Sequence, residues 1–162
     1  MGAAAQKHLL IDGSNIMHAW PELSALLPGD RAAARSRLSQ AVRVVHDAEQ
    51  VRVTVVFDGR GSALTVEQPA GPPTFAHIYT PAGTTADDVI TQLVGQAREP
   101  SACLVATDDR GERQAVEALG ATCLSSADLA SWVKRAEQRQ QVRLQDRRRD
   151  NDVNWRGGNT CR

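Results

Sequence analysis

The chain has 162 residues, of which 41% are hydrophobic and 23% are charged, and its formal net charge at pH 7 is +0. This size suits one globular domain, and because no apolar run approaches the length of a membrane span, we expect no transmembrane segment. The amino terminus lacks the long apolar core of a secretory signal and the three cysteines form no Cys-x-x-Cys pair, so we expect free thiols, buried at Cys103 and Cys123, in a cytoplasmic protein.

The neutral total charge conceals an acidic body and a basic tail. Residues 1–133 contain 10 Lys or Arg and 15 Asp or Glu, a net charge of −5. Residues 134–162 contain 9 Lys or Arg and 4 Asp or Glu, a net charge of +5. A basic tail is typical of a contact with a polyanion, but a solvated helix end has the same composition, and the sequence leaves both interpretations open.

The first half of the chain begins with an apolar strand at 9–12. A helix is predicted after the Pro-Gly-Asp at 28–30, since apolar residues then recur at helical spacing. The β-branched run at 51–58 predicts a second strand, and 59–73, which is rich in Gly and Pro, predicts a loop.

The second half continues the alternation. Strands are predicted at 75–80, 103–107 and 121–124, and helices after the turn at 81–85, over 110–119 and after the serines at 125–126. Strands that alternate with helices indicate an α/β domain with a mainly parallel sheet. Because the helical periodicity weakens after Ala136, we predict a folded domain over 1–137 and a basic, disordered tail over 138–162.

Aspartates end three of the predicted strands. Asp12, Asp58 and the pair Asp108–Asp109 follow apolar runs, and the pair Asp87–Asp88 begins a predicted helix. Because the carboxyl ends of parallel strands meet at one edge of a sheet, we expect these acids to lie close together. Like charges held close raise one another's pKa, and a bound Mg²⁺ or Mn²⁺ ion is a natural way to keep several of them ionised. Such an ion can activate a water molecule and stabilise charge on a phosphate.

Each acid also has a structural interpretation. Asp-Gly is a strong turn signal at Asp12 and at Asp58. The acids at Asp87–Asp88 follow two threonines, and those at Asp108–Asp109 precede a helix, so all four suit helix capping. The conjunction of several strand-end acids is what favours a site over a set of turns.

Four segments together resemble the YacP-like branch of the NYN domains, which belong to the PIN-like nucleases. They are LIDGSNIMHAWPEL (10–23), VTVVFDG (53–59), IYTPAGTTADDVI (78–90) and LVATDDRGERQAVEALGA (104–121). The resemblance covers roughly residues 8–135 and implies a three-layer α/β/α sandwich with a central, mainly parallel sheet. It also implies a metal-dependent endoribonuclease acting on single-stranded RNA. One bacterial branch of this family acts on messenger RNA at the ribosome, so RNA and the ribosome are the expected partners.

The resemblance also assigns site residues by position. Asp12 matches the family's first-strand acid, Asn15 its accompanying Asn, and Asp87 and Asp88 the two acids of the Thr-Ala-Asp segment. These four residues and the acid after the fourth strand, Asp109, are the predicted catalytic residues.

The same acids, together with Asp108 beside Asp109, are the predicted ligands of Mg²⁺ or Mn²⁺. Some relatives carry a further acid four residues after the one that Asp109 matches. Here that position is Arg113, with Glu112 adjacent.

Four further residues are candidate RNA contacts. Arg60, Arg110 and Arg113 lie beside the acids in sequence and suit phosphate binding, although they would equally neutralise the acids or remain solvated. Trp20 has a ring that can stack on a base, but packing under its loop is the more common role. The four histidines show no ligand spacing and predict structural or surface roles.

Two rival functions remain open from the sequence. The first is a non-catalytic module of the same fold that binds RNA or the ribosome through the basic tail. The second is a small-molecule phosphohydrolase, although Asp12 is followed by Gly and Ser and lacks the second Asp of a nucleophilic Asp-x-Asp pair.

Overall fold

The structure is a computed structural model that describes residues 6–157. Within that range the chain forms one six-stranded sheet with helices on both of its faces. The strands are β1 (His8–Asp12), β2 (Arg52–Phe57), β3 (Thr65–Glu67), β4 (Phe75–Tyr79), β5 (Cys103–Ala106) and β6 (Thr122–Leu124). The α-helices are α1 (Gly13–Ala19), α2 (Pro21–Ser24), α3 (Arg31–Glu49), α4 (Ala86–Gln96), α5 (Arg110–Ala118) and α6 (Ser126–Gly157), and a 3₁₀ turn covers Pro100–Ala102.

The sheet is mainly parallel, as the sequence predicts. Its strand order is β3-β4-β2-β1-β5-β6, and only β3 runs antiparallel to its neighbour within the described residues. Strand β1 lies in the middle, with Asp12 in register with Val56 on one side and Ile11 in register with Ala106 on the other. The carboxyl ends of β1, β2 and β5 therefore lie side by side at one edge.

The predicted three-layer α/β/α arrangement is confirmed. Leu9 and Ile11 of β1 point to one face, where they pack in a core with α1, α2, α3 and α6. Leu10, between them in sequence, points to the opposite face and packs in a second core with α4 and α5. This alternation follows from the two-residue period of a strand, and burial of both faces explains why the strands are continuously apolar.

Three short elements, in two places, differ from the prediction. Helices α1 and α2 follow β1 directly, where the sequence predicts no helix. Helix α1 begins there because the Asp12 carboxylate accepts a hydrogen bond from the backbone N–H of Asn15 and so caps its first turn. Strand β3 lies inside the predicted loop 59–73; all of its residues are exposed, so no apolar alternation marks it.

Helix α6 is where the structure differs most from the sequence prediction. It has 32 residues and passes position 137 without a break, so the prediction of a disordered tail is wrong for residues 138–157. The rest of that predicted tail, including Cys161, lies outside the described residues. Arg and Gln are good helix formers, and they continue the helix without an apolar stripe. Among the side chains whose exposure the structure describes, Ala136 is the last buried one, so burial along the helix ends close to the predicted boundary at 137.

Two further expectations concern thiols and membranes. Cys103 is a buried free thiol, as predicted, whereas the free thiol of Cys123 is only half-buried. No helix within residues 6–157 combines the length and the hydropathy that a membrane-spanning segment requires.

Candidate active site

Asp12 is the buried centre of the carboxyl edge of the sheet. It ends β1 and is only 8% exposed. Burial is the main cause that raises its pKa, and the negative charges of Asp58 and Asp109 raise it further. The next residue must be Gly13, because a Cβ atom there would lie 2.5 Å from the Phe57 ring. Close packing of α1 on β2 therefore holds the Asp12 carboxylate in place.

Asp87 reaches the same edge from the first turn of α4. It is half-buried, and burial raises its pKa, with further contributions from the charges of Asp109, Asp88 and Asp12. Asp12 and Asp87 also line one open depression of about 250 Å³. The structure thus brings together Asp12, Asp87 and Asp109, which lie far apart in the sequence.

Asp58 fixes the position of α4. One of its carboxylate oxygens accepts a hydrogen bond from the backbone N–H of Ala86 at 3.0 Å, and the other accepts one from the Ser14 hydroxyl at 2.8 Å. Both oxygens therefore bind the ends of helices, in keeping with a structural role. Because Asp87 follows Ala86 directly, this contact also places the Asp87 side chain.

Two of the predicted site acids cap helices. Asp88 forms a reciprocal capping box with Thr85, and its carboxylate accepts a hydrogen bond from the Thr85 N–H at 3.3 Å. Asp109 accepts one from the Glu112 N–H at 2.8 Å at the start of α5. Helix capping thus accounts for the local positions of both acids, while their charges still act on Asp87.

Asp108 and Asn15 make contacts that the sequence did not predict. The Asp108 carboxylate accepts hydrogen bonds from the Ser126 N–H at 2.8 Å and from the Ser126 hydroxyl at 2.6 Å, so it points to the start of α6. The side-chain oxygen of Asn15 accepts one from the Asp108 N–H at 2.9 Å. Asn15, a predicted catalytic residue, therefore joins α1 to the loop after β5.

Glu112 is the acid that the prediction missed. It lies on α5, is 1% exposed and accepts a hydrogen bond from the Thr107 hydroxyl on Oε2 at 2.8 Å. Its Oε1 is buried and has no hydrogen-bond donor within the described residues. Burial, followed by the adjacent Asp12, raises the pKa of Glu112 to about 9. One signal was available in the sequence: Glu112 lies four residues before Val116, on the buried side of α5.

These side chains have the donor chemistry of a Mg²⁺ or Mn²⁺ site. Asp12, Asp87, Asp109 and Glu112 offer hard carboxylate oxygens, and the unpaired Oε1 of Glu112 needs a proton or a cation beside it. Within residues 6–157, no three Asp, Glu, His or Cys side chains are already arranged around one ion-sized position. Mg²⁺ usually binds through one or two carboxylates and keeps several waters, so a carboxylate pair is sufficient for a fit.

The predicted RNA contacts fall into two groups. Trp20 is 9% exposed and its indole N–H donates to the Ser126 carbonyl at 2.9 Å, so it packs under its loop, the role that the sequence favoured over stacking on a base. Arg60 and Arg110 are exposed and Arg113 is half-buried, which leaves them able to reach a phosphate.

Comparison with known proteins agrees with this geometry. The residue pattern of the YacP-like NYN domain matches the chain over residues 9–156. The chain belongs to the YacP-like NYN domain family. A relative from Bacillus subtilis (strain 168), the "Uncharacterized protein YacP", is 31% identical over 137 residues, which are 84% of this chain and 80% of the relative.

Solved structures of Rae1 (YacP) from Bacillus subtilis have the same fold. One superposes with a TM-score of 0.73 at 28% identity and covers 92% of this chain and 86% of that chain. A second, of its W164L mutant, has a TM-score of 0.72 at 29% identity and covers 87% and 83%. The fold is therefore the PIN-like ribonuclease fold of the NYN family, whose members are generally nucleases.

Proposed function

We propose that this protein is a metal-dependent endoribonuclease that hydrolyses phosphodiester bonds of single-stranded RNA in the cytoplasm. One observation carries the proposal. The carboxylates of Asp12 and Asp87 and the buried carboxyl of Glu112 gather at the carboxyl edge of a parallel sheet, where α/β proteins bind their ligands. Action on messenger RNA at the ribosome is a narrower proposal that rests on the family resemblance alone.

The proposed cofactor is Mg²⁺ or Mn²⁺, held by Asp12 and Glu112 from the buried side and by Asp87 from the exposed side. Asp109 and Asp88 add negative charge that favours a cation at this position. At such a site a bound divalent ion supplies an activated water molecule and stabilises the negative charge that develops on the phosphate.

Other residues position the metal-binding carboxylates and the RNA substrate. Asp58 fixes the start of α4, and Asn15 fixes the loop that carries Asp108–Asp109. Arg60 and Arg110, both exposed, are the proposed contacts to the RNA backbone. An open, shallow depression suits a flexible single strand, since a strand can enter it without being threaded.

Incubation with a single-stranded RNA labelled at its 5′ end, in Mg²⁺, in Mn²⁺ or in EDTA, tests the proposal. Internal cleavage that needs the metal and disappears in Asp12→Asn supports it. Cleavage that persists in EDTA, or in folded Asp12→Asn, would overturn it. Generic phosphomonoesters in the same assay test the small-molecule phosphohydrolase.

A non-catalytic RNA-binding module is the second candidate, and two observations favour it. No three potential ligands within residues 6–157 are prearranged around an ion, and the basic charge of the chain is concentrated on α6. Such a module would bind RNA equally well in EDTA and in Mn²⁺ and would cleave nothing. Mn²⁺ titration, followed by electron paramagnetic resonance, separates the two, since only the enzyme requires an ion bound at Asp12.

A further inference from the structure

Helix α6 carries a row of arginines outside the candidate active site. Arg135, Arg139, Arg143 and Arg147 are spaced four residues apart, and Arg148 and Arg149 follow directly. Residues four apart lie on one side of a helix, so the first four form a continuous line, with a rise of about 6 Å from one to the next. We call these six residues the arginine stripe.

Most of the stripe is free to meet a partner. All six arginines are exposed, as is every side chain from residue 141 to 155. Arg139 pairs with Glu49 at 2.5 Å, whereas no other arginine of the stripe forms an ion pair with any part of the chain that the structure describes. Like charges four residues apart destabilise a helix, so the spacing of these arginines does not serve the stability of α6.

The stripe lies away from the acids of the candidate active site. Ser126, at the start of α6, binds Asp108 at the carboxyl edge of the sheet. Arg139 contacts Glu49 at the end of α3, shortly before β2 begins at the amino edge. Helix α6 therefore runs from the carboxyl edge to the amino edge, and the 18 residues after Arg139 continue for about 27 Å.

We propose that the arginine stripe binds the backbone phosphates of double-helical RNA at a position separate from the candidate active site. The choice of RNA rests on the proposed function, and charge complementarity supports it. Residues 1–133 carry a net charge of −5 and repel a polyanion, so the attraction must come from α6. A rigid line of charges about 18 Å long suits the regular phosphates of a duplex better than a flexible strand.

The stripe would thus hold a folded RNA while a single-stranded part of it reaches the acidic edge. Val142 and Leu144 are exposed beside the arginines and would instead suit an apolar partner such as a second copy of the chain. The test must therefore distinguish these two occupants.

The experiment compares two triple variants of the full chain. Arg143→Gln/Arg147→Gln/Arg148→Gln removes three charges from the stripe, and Gln retains helix propensity. Arg31→Gln/Arg37→Gln/Arg98→Gln is the matched control, because it removes three exposed arginines from other parts of the surface. Fluorescence anisotropy with a labelled RNA hairpin duplex in EDTA, from low to moderate salt, measures binding without cleavage.

The stripe variant is expected to bind the duplex at least about tenfold more weakly than the control. The slope of the logarithm of its binding constant against the logarithm of the salt concentration should be shallower by about 3. Arg143→Lys/Arg147→Lys/Arg148→Lys should restore most of the affinity, since phosphate contacts need charge. Equal binding by the stripe variant and the control overturns the proposal. Light scattering tests the other occupant. If the molar mass of the unmodified protein rises with concentration, that of the stripe variant does not, and neither protein binds the duplex, the partner is a second copy of the chain and the proposal is overturned.

Cleavage of a short single-stranded RNA by the stripe variant separates this inference from the proposed function. We expect unchanged cleavage, because the oligonucleotide does not reach the stripe. If the unmodified protein cleaves nothing but shows stripe-dependent duplex binding, the proposed enzyme fails while the stripe proposal stands.

Discussion

The buried carboxyl group of Glu112 lies against the carboxylate of Asp12, and the two can form a hydrogen bond only when one of them carries a proton. With both ionised, Oε1 of Glu112 is a buried acceptor without a donor, and the two negative charges repel. A proton and a divalent cation are therefore alternative ways to stabilise the same pair, which is why the pair is central to the proposed site.

Replacing Asp12 with Asn should abolish RNA cleavage while the thermal midpoint stays the same or rises. The substitution removes a buried charge that lies close to Glu112, Asp109 and Asp58, and an Asn side chain can still accept the capping bond from the Asn15 N–H. Cleavage assays and thermal melts in EDTA measure the two effects. Asp30→Asn, which alters the cap of α3, is the matched control and should leave cleavage intact.

The stability of the metal-free protein should fall as the pH rises from 5 to 9. The pKa of Glu112 is raised from 4.5 to about 9 on folding. The folded state therefore keeps a proton that the unfolded state has already lost, and stability present below pH 4.5 is lost progressively as pH rises through 9.

Glu112→Gln should flatten this pH dependence, because Gln cannot ionise. Urea unfolding in EDTA at several pH values measures it, and Glu117→Gln, an exposed position on the same helix, should behave like the unmodified protein. An equally steep loss of stability in Glu112→Gln would show that other groups cause it.

Asp58→Ala should destabilise the fold and impair cleavage together. It removes the acceptor of two hydrogen bonds, one to Ser14 and one to the start of α4, and should cost about 1–3 kcal/mol in the free energy of unfolding. Chemical denaturation gives this value. Ser14→Ala removes only the bond to α1, so it should cost less and leave Asp87 in place; a larger effect on cleavage than that of Asp58→Ala contradicts this account.

Asp108→Ala should lower stability without weakening Mn²⁺ binding. Its carboxylate caps α6 through Ser126, and losing such a cap typically costs about 0.5–2 kcal/mol. Ser126→Ala, which removes only the hydroxyl, should show a smaller loss in the same direction. If Asp108→Ala weakens Mn²⁺ binding and Ser126→Ala does not, Asp108 is a ligand, as the sequence predicted.

Gly13→Ala should be among the most destabilising single substitutions at this edge. The new methyl group would lie 2.5 Å from Phe57 Cδ1 and 2.9 Å from the Val56 carbonyl oxygen. Repacking the ring alone cannot relieve the backbone contact, so we expect a loss of about 1–3 kcal/mol. Gly29→Ala, where no atom lies within 4 Å of the added carbon, is the matched control and should change stability little.

The main features of the fold and the gathering of acids were predictable from the sequence because they follow from local patterns. Continuous apolar strands that alternate with helices predict a parallel sheet, and a parallel sheet places the acids that end β1 and β5 at one edge. That inference needs only the order of the elements. Strand β3 was not predictable, because an exposed edge strand of three residues has no buried face to produce an alternating pattern.

The roles of the individual acids depended on tertiary structure. Asp108 and Asp109 are neighbours in sequence, yet one carboxylate points to Ser126 and the other caps α5, and only the packing of α6 separates them. Glu112 looked like an ordinary helix acid, and its burial arises because α5 presses that side of the helix against the sheet beside Asp12.

The sequence by itself therefore determined the alternation of the main strands and helices, and hence the edge at which the acids meet. Only the tertiary structure decided which carboxylates face one another and which serve as caps. The physical reason is that a local pattern specifies the face of a strand or helix on which a side chain lies. The partner it meets there depends on how separate elements pack.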